Sequence, residues 1–366
     1  MRKHWIDNLR WVTVLLVLLY HVFYFYNNKG VIGGIGGFGD GPQYQDIVMY
    51  ILYPWFMPLL FILAGISARY ALAKRSGKEW FRSRTRKLLV PSTIGLFFFG
   101  VFIGWFNSYM APHNDQINAL PLLVRYIIWT ISGTGPLWFI QDLWLLSLLI
   151  LLVRRIDVKE RFYNVCGRIG IVPMILLGVL FWLGHQTLIM SPDPEGIDGL
   201  LNLYKPVFYA IPLLMGYFVF AHERVQEMLG KLWMPLMGCA AAAGAVLCAT
   251  TFGQNNTLPE YLGSPLNNIY GWLMCLAMMG WFKARFDRTG KFAGYMTRSS
   301  YGLYIVHYLV IASVGTLLKS STELPPLCIY TILTAAVFTL SPLLYEILHR
   351  IPFIRWCVLG ERKSAS

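Results

Sequence analysis

The sequence predicts an all-α protein, a polytopic bundle of about ten helices that cross a lipid bilayer and leave almost no soluble part. Three observations carry that reading. Of the 366 residues, 56% are hydrophobic and 13% charged, with a mean hydropathy of +0.53, whereas soluble domains carry about 25% charged residues. Apolar runs of about 20 residues recur along the chain, the length that crosses a ~30 Å hydrocarbon core as helix. Basic residues collect in every second connection between those runs. Lipid offers the backbone no hydrogen-bond partner, which favours helices, and the alternating segments of a membrane barrel are absent from the sequence.

The elements follow in order. Met1-Arg-Lys-His leads into a first span, Leu9–Asn27. It runs on into the aromatics Phe23–Tyr26 without a small-residue cleavage site, so it reads as an uncleaved helix rather than a secretory leader. Gly30–Pro42 is a glycine-rich, flexible connection. It is no P-loop, because no Gly-Lys-Ser/Thr follows it. The second span is Ile47–Ala73 and the third Leu88–Tyr109, joined by a strongly basic loop. Leu120–Ser132 is too short and interrupted for a span and suits a re-entrant or interfacial helix. Spans four to six are Gly135–Val153, Ile169–Met190 and Leu201–Ala221, with the acidic, Pro-rich Ser191–Asp198 between the last two. Spans seven to ten are Leu232–Phe252, Pro265–Phe282, Tyr301–Leu318 and Pro326–Leu348. Residues 1–350 thus form one transmembrane domain and 351–366 a short cytoplasmic tail. Trp5, Trp80, Trp105, Trp129 and Trp233 fall at span ends, the positions of an interfacial belt.

Charge orients the bundle. The net charge of +13 would suit nucleic acid, but its distribution does not. With ten spans, 26 of the 31 basic residues fall on one side: at the N-terminus, in the second, fourth, sixth and eighth loops, and at the C-terminus. The opposite side holds only Lys29, Arg125, Lys205 and Lys319, and Arg69 lies within a span. A wrong span count would scramble this alternation, so both termini are expected in the cytoplasm of a multi-pass inner or plasma-membrane protein. The six cysteines are scattered without metal-ligand spacing and read as small hydrophobes, and no metal is expected.

Ionisable residues inside spans cost about 2.5–3.5 kcal/mol each on insertion scales and call for a reason. His21 lies eleven residues beyond Arg10, ~16 Å deeper along a helix. His307 is nine residues past Arg298, ~13 Å, and Asp142 twelve residues before Arg154, ~18 Å. Three titratable groups therefore share one depth on three helices. A carboxylate beside a histidine suits acid–base work; the plainer alternative is a set of structural hydrogen bonds that lock the bundle. A second candidate site is the run Arg82-Ser-Arg84-Thr-Arg86-Lys87-Leu-Leu-Val-Pro91. Positive-inside anchoring accounts for most of its charge, while Arg84 and Lys87, nearest the span, could hold a phosphorylated ligand. Arg69 either joins that site or snorkels. His4, His222 and His349 at the inner boundary, and His113 and His185 at the outer one, suit surface roles.

Four segments resemble the acyltransferase 3 family, membrane enzymes that acylate sugars and cell-envelope glycans. They are Asp7-x2-Arg10-x10-His21, Phe61-Ile-Leu-Ala-Gly65-Ile-Ser67, Arg84-x2-Lys87-x3-Pro91 and Ser300-Tyr-Gly-Leu-Tyr304-Ile-Val-His307. Pro136-Leu-Trp138-Phe is similar to the family's Leu-Trp-Phe segment. The family has Ser where this chain has Ala64, and Arg where it has Lys87. The overall pattern looks nearer the glucan-modifying members than the peptidoglycan ones. The resemblance implies an O-acyltransferase that takes an acetyl or succinyl group from acyl-CoA, with acetyl-CoA the first choice of donor, to a sugar or glycan hydroxyl at the outer face. It further implies that Arg10, Arg84 and Lys87 hold the donor's phosphates or position its thioester. His21 would be general base or transient acyl carrier, with Asp142 and His307 orienting it or binding acceptor. Two rivals remain: a polysaccharide or solute permease, and a structural membrane protein whose polar trio only locks helices.

Overall fold

The computed structural model describes residues 3–28, 34–39, 41–110, 114–187, 206–321 and 323–361. Among these every regular element is helical. The expected loop Ser191–Asp198, Lys29, Lys205, His113, Arg2, Arg362 and Lys363 lie outside the described residues. In chain order the helices are α1 (His4–Phe25), α2 (Ile47–Leu72), α3 (Gly77–Arg84), α4 (Val101–Met110), α5 (Asn114–Asn118), α6 (Leu122–Ser132), α7 (Trp138–Ile156) and α8 (Arg161–Cys166). There follow α9 (Ile171–Thr187), α10 (Pro206–Met215), α11 (Glu223–Thr251), α12 (Pro259–Leu262), α13 (Pro265–Arg285), α14 (Lys291–Ser321), α15 (Pro326–Arg350) and α16 (Pro352–Cys357).

Among the described residues, six helical stretches are long and apolar enough to cross a membrane: His4–Phe25, Tyr44–Leu72, Gly135–Ile156, Glu223–Thr251, Lys291–Ser321 and Pro326–Arg350. Four shorter apolar ones, Leu96–Ser108, Leu122–Ser132, Ile171–Gln186 and Val207–Phe220, supplement them. The expected third span is jointed rather than continuous. Pro91 has no N–H to continue the ladder, and wide turns with five-residue spacing flank it at Thr85–Leu89 and Leu96–Gly100. Such π turns widen a helix locally and recur at functional sites. The segment expected to be interfacial is a regular helix, α6, packed on α4 so closely that a Cβ on Gly104 would come within 1.7 Å of the Trp129 carbonyl oxygen.

At the centre, α2 is the most enclosed helix, with eighteen of its residues buried from Met49 to Leu72. It packs against α1, α10 and α13. Close crossing of apolar helices needs small residues at the contact, and α2 supplies Gly65. A Cβ there would meet the Leu213 carbonyl oxygen at 2.1 Å, and one on Gly216 would meet that of Ile62 at 2.1 Å. Helix α1 lies beside α14, and α14 beside α15. Trp5 and Trp80, expected in an interfacial belt, are buried in the protein at 1% and 4% exposure. His185, expected to be superficial, is buried against Phe181 and Phe208. Tertiary packing rather than depth captured these three rings.

Candidate active site

The first and ninth predicted spans bring their histidines together. His21 on α1 and His307 on α14 have ring centroids 5.0 Å apart, and His307 Nε2 lies 3.2 Å from His21 Nδ1. His21 Nδ1 also lies 2.9 Å from the Val17 carbonyl oxygen, one turn back along α1. His307 Nδ1 lies 2.7 Å from the carbonyl oxygen of Tyr304. A carbonyl oxygen can only accept, so in each ring Nδ1 carries the proton and donates it. His307 Nε2 is then a lone pair facing the His21 N–H, which is shared between two acceptors. The pair is thus consistent with two neutral rings, and it turns the lone pair of His21 Nε2 away from both bonds. His307 is fully buried, whereas His21 is half-buried. Aromatic rings enclose the latter: Tyr20 at 5.4 Å, Tyr308 at 5.5 Å and Tyr24 at 5.9 Å between centroids.

Asp142, expected beside them, is completely buried on α7 and interacts electrostatically with Tyr304. The Tyr304 ring is 5.8 Å from that of His307, and its hydroxyl donates to the carbonyl of Pro136. Tyr304 thus neighbours His307 and also feels the Asp142 carboxylate. Phe139 adds an edge contact to Tyr304 at 5.8 Å and another to Phe61 at 4.9 Å. The segment Pro136-Leu-Trp138-Phe thereby supports the wall of the histidine site.

One end of the site is cationic. Arg10 Nη1 pairs with Asp7 at 3.0 Å, and Arg10 Nη2 donates to Ser67 Oγ at 2.6 Å. Ser67 in turn donates to the Leu63 carbonyl at 2.6 Å. Gly65, two residues earlier, allows the crossing with Gly216 that fixes α2 here. Arg84 donates to Ser147 on α7 at 3.4 Å and lies 5.3 Å from the Trp80 ring. Burial, reinforced by Arg10 nearby, pushes the Arg84 guanidinium down to about 10, so it remains charged at neutral pH. Lys87 feels both Arg84 and Arg10, and its own carbonyl receives the Tyr301 hydroxyl. Three cations gathered this closely repel one another, and an anionic ligand would relieve that repulsion.

Arg69 stands apart from that group. Its Nη2 pairs with Glu160 at 2.6 Å, and its guanidinium lies 3.6 Å from the centre of the Tyr163 ring. It lines a separate cavity of about 1080 Å³ with Lys78, Arg82, Arg154, Phe81 and Tyr217.

Residues without an expected role also belong to the site. Tyr301, Tyr304 and Tyr308 recur at three- and four-residue intervals, one helical face that also carries His307. That period is visible in the sequence. Ser67 closes one of the segments that resemble the family, but only the α1–α2 packing shows that it meets Arg10.

A family model described as an acyltransferase domain matches residues 3–346, nearly the whole chain. No curated protein and no solved structure matches it.

Proposed function

The chain belongs to the acyltransferase 3 family, whose model spans residues 3–346, and from that premise we propose that it transfers an acyl group from acyl-CoA to a hydroxyl of a sugar or cell-envelope glycan. The observation that carries the reading is the histidine pair, in which both bonds of His21 are made by Nδ1 and none of the described residues bonds its Nε2, joined along α1 to the cationic end formed by Arg10, Arg84 and Lys87. Acetyl-CoA is the first donor to test and a succinyl donor the second. The protein would sit in the inner or plasma membrane with ten spans and both termini cytoplasmic.

In this reading, Arg10, Arg84 and Lys87 hold donor phosphates and direct the thioester toward α1. The acceptor hydroxyl approaches His21, and Nε2 takes its proton as the oxygen attacks the thioester carbon. The new C–O bond forms, the C–S bond breaks, and the departing sulfur recovers the proton from His21 Nε2. A positive charge on the His21 ring during the step is eased by both acceptors of its Nδ1–H, the Val17 carbonyl and His307 Nε2. Attack by His21 Nε2 itself, making a transient acyl-imidazole, uses the same lone pair.

Purified protein in liposomes, given labelled acetyl-CoA inside and a glycan acceptor outside, is expected to consume thioester and label the acceptor. His21→Ala is expected to lower that rate by about 10²–10⁴-fold. Normal transfer by His21→Ala protein would end the proposal.

A further inference from the structure

The chain beyond α15 turns back onto the cationic end of the site. Ile351 is extended, α16 follows, and Cys357, Val358 and Leu359 are buried at 1% exposure or less. Phe353 meets Phe98 edge-on at 5.1 Å. A Cβ on Gly95 would lie 2.6 Å from the Cys357 carbonyl oxygen. Gly360 adopts φ +63°, a conformation open to glycine at little cost. A Cβ there would meet the Arg86 carbonyl oxygen at 2.7 Å and Lys87 Cα at 2.9 Å. The backbone of residue 360 thus rests on the backbone that carries Lys87, and the next residue is acidic.

Glu361 is held in place rather than trailing. Its N–H donates to the Arg355 carbonyl at 3.1 Å, and a carboxylate oxygen lies 2.8 Å from His349 Nδ1. Its side chain is 23% exposed. The same carboxylate attracts Lys87 and acts on Tyr301, the residue whose hydroxyl is bonded to the Lys87 carbonyl. An anion is therefore fixed next to the backbone of Lys87, at the edge of the cationic end proposed for the donor phosphates.

We propose that Glu361 is an internal competing anion, docked by residues 352–360 beside Lys87, which weakens the binding of phosphorylated ligands at the Arg84–Lys87 end and so sets the affinity for the acyl donor. The inference rests on the reading of that end as the donor's anion site. It makes Glu361 a residue that acts through Lys87, with no part in the chemical step. Removing its charge frees Lys87 for the ligand, and because the two partly exposed groups form no direct ion pair among the described residues, the gain is modest, about two- to fivefold at most.

Inorganic pyrophosphate is the direct probe, because it needs neither thioester nor acceptor. Calorimetric titration of the purified full-length protein should give a Kd for Glu361→Gln about two- to fivefold below that of the unaltered chain. Arg84→Gln should weaken binding in both backgrounds. The KM for acetyl-CoA should fall in parallel while kcat stays constant, and His349→Gln, which frees Glu361 toward Lys87, should move both constants the other way. Thermal unfolding of each variant separates lost folding from altered binding; should Glu361→Gln unfold early, Glu361→Asp, which withdraws the carboxylate by one methylene, should give the smaller shift of the same sign. Pyrophosphate binding that is unchanged, weakened or undetectable in Glu361→Gln overturns the proposal. If pyrophosphate responds as stated but acetyl-CoA is neither bound nor consumed, the acyl-CoA reading fails and the competing anion stands.

Discussion

Replacing His307 by Phe tests how the histidine pair divides its labour. The substitution keeps a flat ring in the core and removes Nε2, the acceptor 3.2 Å from His21 Nδ1. The His21 Nδ1–H keeps its other acceptor, the Val17 carbonyl at 2.9 Å. The tautomer that presents a lone pair at Nε2 is therefore retained, and what disappears is one hydrogen bond of two. Such a bond is worth about 0.5–1.5 kcal/mol net, which at ~1.4 kcal/mol per decade corresponds to roughly a two- to thirteenfold fall in rate. Removing His21 itself should cost the whole contribution of a general base, about 10²–10⁴-fold. The assay is single-turnover acyl transfer in liposomes, comparing His307→Phe, His307→Gln and His21→Ala at equal folded protein. The Gln variant offers an amide oxygen as acceptor and should recover part of the loss. A fall of 10²-fold or more in His307→Phe, at normal thermal stability, would refute the reasoning, because His307 would then be handling the reacting proton itself.

Other expectations follow from single contacts. Ser67→Ala removes the hydroxyl 2.6 Å from Arg10 Nη2 and should raise the KM for acetyl-CoA about two- to tenfold with kcat little changed, since one hydrogen bond of about 0.5–1.5 kcal/mol net is lost from a guanidinium that Asp7 still holds. Gly65→Ala forces a methyl against the Leu213 carbonyl at 2.1 Å; the α2 crossing must open, and detergent-extracted protein should show a lower unfolding midpoint, by about 1–3 kcal/mol of overpacking. Lys319 donates to the carbonyls of Ile35, Gly36 and Gly37 at 2.8, 2.6 and 3.0 Å. Lys319→Met should therefore speed protease cleavage or hydrogen exchange across residues 34–39 while residues 301–310 keep their protection; equal exchange in both regions would count against that clamp.

Hydropathy was enough to find the six membrane-length helices among the described residues, because burial in lipid leaves a continuous apolar run that no other environment requires. His21, His307 and Asp142 stood out for the same reason, as costly groups in apolar surroundings. Depth along an axis says nothing of rotation about it, and only the packing of α1 on α14 brought the two imidazoles to 3.2 Å. For Asp142 the interaction seen is an electrostatic one with Tyr304, whose ring neighbours that of His307. Likewise the sequence placed Arg69 within a span, either to join the cationic run or to snorkel, while the fold pairs it with Glu160 and Tyr163. The tail gave the weakest signal of all. Its short apolar stretch reads as an appendage until Gly360 is seen lying on the Lys87 backbone. Apolar content is a property of a segment and is written in one dimension. Which side chains meet depends on helix rotation and crossing, and these are set by contacts among residues far apart in the chain, such as Gly65 with Gly216 and Arg10 with Ser67.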